Sequence, residues 1–72
     1  MINDITFTER VARNISRARV KKGYSVDRLA EKIGITRTRV YQLETGANPI
    51  TTATIERVAF ALGVDPGALA AR

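Results

Sequence analysis

Between residues 25 and 46 the chain stops one helix and starts another with almost nothing in between, and no other stretch limits the possible folds so tightly. Val26, Leu29, Ala30 and Ile33 recur at the spacing of one helix face, Ser25 is placed to cap the start, and Gly34 follows the last apolar residue. Thr36 can cap a second helix whose buried face is Val40 and Leu43, and Gly46 ends it through the left-handed backbone that glycine reaches at least cost. Only Ile35 and Thr36 separate the stop from the new helix. So short a link forces a steep crossing, with the small side chain of Ala30 where the second helix passes closest.

The rest of the chain reads as elements that hold this pair. Residues 1–8 have no helical period and are expected to form an N-terminal arm, with the folded domain over 9–72. Thr6 and Glu9 can form a capping box, with Thr8 as a competing cap. The first helix then runs to about Lys22, with Val11, Ile15 and Ala18 inward and Gly23 ending it. Arg10, Arg13 and Arg17 fall on or near one exposed stripe, which suits a solvated face and a phosphate contact equally. Arg19 lies between Ala18 and Val20, close to the inward face, where an unpaired charge is costly and a partner is required. Ala47 to Thr52 reads as a loop, because Pro49 disfavours helix at Asn48 and the threonines offer a new cap. A fourth helix follows with Ile55, Val58, Ala59 and Leu62 as its core face. Asp65 and Pro66 then open a short fifth helix through Leu69, after which Ala70 to Arg72 are expected to fray.

A chain of 72 residues is one small domain, near the size at which a single core becomes marginal. It has neither Cys nor His, so disulfides are excluded, the usual zinc sites cannot be built, and stability must come from packed helices. No metal or cofactor is expected. The same absence, with seven carboxylates in no paired constellation, leaves an enzyme as a poor reading. A net charge of +5 favours a polyanionic partner, although composition cannot separate DNA, RNA and acidic lipid. No run approaches the ~20 apolar residues that span a bilayer, and the N-terminus lacks the order of a signal peptide. The expectation is a cytoplasmic protein with no membrane partner.

From about Val11 to Leu69 the chain resembles the lambda repressor and Cro-like family of helix-turn-helix transcription regulators. The resemblance is carried by the run from Leu29 to Thr36, by Leu43, Glu44, Thr45 and Gly46, and by the run from Val58 to Val64. It implies an all-α, compact five-helix domain whose second and third helices form the helix-turn-helix. It also implies a partner for Arg19, since the family pairs an arginine at this position with the glutamate that corresponds to Glu44. Two departures stand out. The first residue of helix 2, commonly a glutamine that braces the recognition helix, is Val26, and Pro49 lies one residue nearer Gly46 than the commonest spacing.

In this motif the second helix enters the major groove by its N-terminal end. With Val40 and Leu43 facing the core, Arg37, Thr38, Tyr41 and Gln42 point outward, and by resemblance Arg37, Thr38 and Gln42 match base-reading positions. Arg37 could bond a guanine edge, Gln42 an adenine edge, and Thr38 could meet a thymine methyl. Tyr41 could read a base or lay its hydroxyl on a phosphate. Phosphate contacts are expected from Ser25, Thr36, Arg39, Asn48, Thr51 and Arg17, several of which also have ordinary capping or solvated roles. Phe60 falls off the core face of helix 4 and is either covered by the arm or C-terminal helix or exposed to a partner. Phe60, Val64 and Leu69 are the candidates for a dimer contact.

The leading expectation is a sequence-specific, double-stranded DNA-binding transcription regulator of repressor or controller type. It would act as a homodimer on a two-fold related operator. The alternative is a protein-interaction module, antitoxin-like, for which Phe60 and the arm residues Ile2, Ile5 and Phe7 would supply the docking surface.

Overall fold

The computed structural model describes residues 6–71, so Ile2 and Ile5 of the expected arm lie outside the described residues, as does Arg72. The described chain is all-α, with α1 over Phe7–Lys22, α2 over Val26–Ile33, α3 over Arg37–Thr45, α4 over Thr52–Leu62 and α5 over Pro66–Ala70. Each boundary has a local chemical cause. The side chains of Thr6, Ser25, Thr36, Thr51 and Asp65 each accept a backbone N–H from the first turn of the helix that follows, satisfying a donor that would otherwise be orphaned. At α1 the competition between two caps is decided for Thr6. Its backbone N–H donates to Glu9 Oε1 at 3.0 Å while its hydroxyl accepts from Glu9 N at 3.1 Å, which places Phe7 and Thr8 inside the helix. The Thr6 backbone N–H, joined by the Thr6 hydroxyl donating to the same Oε1 at 3.1 Å, holds the Glu9 carboxyl below its ordinary pKa.

The turn between α2 and α3 is closed at Gly34, whose φ of +87° lets its N–H and that of Ile35 both reach the carbonyl of Ala30. Ala30 is buried at this corner as part of the core. α1 packs against α3, α4 and α5, α2 against α3 and α4, and α4 against α5. Between them lies one core of Val11, Ile15, Leu29, Ala30, Val40, Leu43, Ile55, Val58, Ala59, Leu62 and Leu69. Every large member is aliphatic, and each fully buried one contributes about 1.5–3 kcal/mol of transfer free energy.

The C-terminal end differs from the sequence expectation in two ways. Asn14, which the periodicity of α1 did not single out, donates from Nδ2 to the carbonyls of Leu69 and Ala71 at 2.9 and 2.7 Å. These bonds pin α5 to α1, so Ala70 is helical and Ala71 is tied down where fraying was expected. Leu69 must also be corrected as a dimer candidate. It is 1% exposed, buried with the core, and has no surface left to offer a partner. Phe60, in contrast, is covered by neither α5 nor any other described element and stands 90% exposed, while Val64 is partly buried against the core.

Candidate nucleic-acid interface

The orientation of α3 is set from both sides. Val40 and Leu43 anchor its inner face, and the Thr36 cap fixes its first turn by accepting from Arg39 N at 3.1 Å. A third anchor is ionic: Arg19 Nε donates to Glu44 Oε2 at 2.7 Å and Nη2 to Oε1 at 3.2 Å, while Nη1 donates to the carbonyl of Tyr24 at 2.9 Å. One guanidinium therefore ties α1, the end of α3 and the segment before α2 together, and both charged side chains are largely withdrawn from water. The neighbouring α2 is held separately by Arg57 on α4, whose Nη2 donates to the carbonyl of Ile33 at the end of α2. Sequence reasoning missed it, because a lone arginine on an exposed helix face gives no signal of a carbonyl that is 24 residues away.

With its inner face fixed, α3 presents Thr38, Tyr41 and Gln42 to solvent, one turn apart. Thr45 lies on the same exposed side one turn beyond Tyr41 and Gln42; it was not among the expected site residues, although its position in the heptad-like spacing could have flagged it. Arg39 is half-buried, with Nη1 3.4 Å from Gln42 Oε1, a long bond that nevertheless leaves the Gln42 amide N–H groups free to donate outward.

Arg37 is exposed, as expected, but it is not a free side chain. It forms a two-bond ion pair with Asp27 of α2, Nε to Oδ1 at 2.6 Å and Nη2 to Oδ2 at 2.7 Å. The hydrogen bond to Arg37 holds the Asp27 carboxyl below its ordinary pKa, and the reciprocal bond raises that of Arg37. Both groups stay fully charged at neutral pH.

The expected phosphate contacts divide by what their protons are doing. The hydroxyls of Ser25 and Thr36 accept from Arg28 N and Arg39 N, so each keeps its own proton for an outside acceptor, next to the positive end of a helix. Thr51 accepts from Thr54 N and donates to Thr54 Oγ1, which occupies its proton within the cap. Asn48 is exposed in the loop between α3 and α4, and Arg17 is exposed on α1. Val26, in place of a bracing glutamine, is packed partly against the core.

Two short helices joined by a cap-to-cap turn, with the second held by a buried seam and open on its outer side, define a helix-turn-helix DNA-binding domain. Residues 15–69 match the model of the helix-turn-helix family HTH_3, and the chain belongs to that family. Among solved structures, it is similar to a hypothetical transcription factor, NHTF from Neisseria, at 35% identity and a TM-score of 0.86, covering 92% of this chain and 76% of that one. It also resembles the restriction-modification controller protein C.AhdI from Aeromonas hydrophila, at 27% identity and a TM-score of 0.80, over 86% of this chain and 94% of that one. The clp gene regulator ClgR from C. glutamicum shares the fold at 21% identity, with a TM-score of 0.88 over 92% of this chain and 86% of that one. No curated protein matches the sequence significantly. Among the described residues, no helix is long and apolar enough to cross a membrane.

Proposed function

We propose that the protein controls transcription by binding double-stranded DNA in the cytoplasm as a homodimer, each copy laying α3 in the major groove over one half of a two-fold related operator. The observation that carries this reading is the outer side of α3, where Thr38, Tyr41 and Gln42 are exposed on a helix whose other side is locked. In this reading Arg37, Thr38, Tyr41 and Gln42 meet base edges, while Ser25, Thr36, Arg39, Asn48 and Arg17 meet the backbone. Half-sites would lie about one helical turn apart. The likeness to a controller protein of a restriction-modification system supports a repressor or controller role.

Binding to a DNA duplex should weaken steeply with salt, because each neutralised phosphate releases counterions. A dimer using these contacts should lose roughly a thousandfold or more in affinity between about 50 and 200 mM salt. Fluorescence anisotropy on a labelled duplex measures this directly. Absent or salt-independent binding would instead favour a protein-interaction module.

Phe60 supports the dimer, since a phenylalanine left 90% exposed on so small a domain suits a surface that a second copy covers. Val64 is its candidate neighbour. Phe60→Glu should shift the sedimentation coefficient toward the monomer. Unchanged sedimentation with preserved helicity would remove Phe60 from the interface.

A further inference from the structure

The pairing of Arg37 with Asp27 leaves a specific part of the guanidinium unused. Five N–H groups lie in one plane. Asp27 takes the lateral edge, formed by Nε and one proton of Nη2. The terminal edge keeps one proton on Nη1 and the second on Nη2, two parallel donors that match the O6 and N7 acceptors of guanine. A carboxylate on the DNA side of the domain also opposes a polyanion. Stabilising the fold is a weak explanation for it, because the two side chains are 61% and 63% exposed, and ion pairs so open to water add little.

We propose that Asp27 is a positioning residue for base recognition: it grips Arg37 from the side and aims the terminal fork at a guanine, making the α2 carboxylate a determinant of sequence specificity without touching a base itself. This rests on the DNA-reading function proposed above. Holding the side chain in place removes rotamer freedom that would otherwise be lost on binding. The role has a signature that neither plain repulsion nor a structural role shares. Loss of Asp27 removes a negative charge and should strengthen binding to any duplex, yet it frees Arg37 and should weaken the choice of guanine.

The test is selection of bound duplexes from a random pool by the wild type, Arg37→Ala, Asp27→Ala and Asp27→Asn, followed by competition between the best duplex and variants with each guanine replaced by adenine. The wild type should favour guanine at one position per half-site by about 5- to 100-fold. Arg37→Ala should abolish that preference. Both Asp27 variants should cut it by about two- to tenfold while binding random duplex more tightly than the wild type. Asp27→Asn keeps the side-chain volume at the start of α2, so it preserves the test if the alanine variant melts early. Guanine preference unchanged in a folded Asp27 variant would overturn the proposal alone. A wild type that enriches no motif would overturn the DNA-reading function, and the role of Asp27 with it.

Discussion

Replacing either Arg19 or Glu44 alone with alanine should lower stability by roughly 2–4 kcal/mol, a fall of 10 °C or more in melting temperature for a domain of this size. The effect comes from what is left behind. Side-chain exposure is 16% for Arg19 and 9% for Glu44, so neither charge is well solvated once its partner is gone. Arg19→Ala strands the Glu44 carboxylate and also removes the bond to the Tyr24 carbonyl. Glu44→Ala strands a guanidinium held by that carbonyl alone among the described contacts. The double variant strands neither, and should cost clearly less than the two single losses added together. Thermal melts of the four proteins make a double-mutant cycle. Strict additivity would mean that the two groups do not act as a pair in solution.

Gly46→Ala should destabilise the domain more than Gly34→Ala, by about 1–2 kcal/mol. The two glycines share a left-handed backbone, with φ of +73° and +87°, so the conformational penalty of a β-carbon, about 1–2 kcal/mol, is common to both. Their surroundings differ. A Cβ at Gly34 would meet nothing within 4 Å, whereas one at Gly46 would lie 3.2 Å from Glu9 Cα and 3.3 Å from its Cγ. Glu9 is itself fixed by its capping box with Thr6, so the first turn of α1 has little room to yield. Paired thermal melts measure the difference. Equal losses would show that the contact between the end of α3 and the start of α1 gives way freely.

These contrasts also mark what could be read from the chain alone. The five helices and their order follow from local signals, since a cap such as Ser25 and a stop such as Gly34 act on residues within one turn. The core faces of α2, α3 and α4 were legible for the same reason: Leu29, Val40, Leu43, Ile55, Val58, Ala59 and Leu62 repeat at helical spacing. Features that depend on distant parts of the chain were not. Asn14 bonding the carbonyls of Leu69 and Ala71 spans 55 and 57 residues, and without it the residues after Leu69 looked free to fray. Leu69 was misjudged because one leucine in a five-residue helix has no period to show which side is buried. The clamp of Asp27 on Arg37 crosses the helix-turn-helix corner, and ten residues separate the partners, too far for any single helix-face pattern. The pairing of Arg19 with Glu44 is legible only in half: the position of Arg19 calls for a partner, while Glu44 was suggested by family resemblance.

The central claim, that the outer face of α3 reads DNA sequence, is tested most directly by selecting bound duplexes from a random pool near physiological salt. The wild type and an Arg37→Ala/Gln42→Ala variant would be run in parallel. The account predicts that the wild type enriches a two-fold related motif and that the variant, still folded and still binding weakly through the phosphates, enriches none. The same motif recovered by both proteins, or no motif from folded wild type, would contradict it.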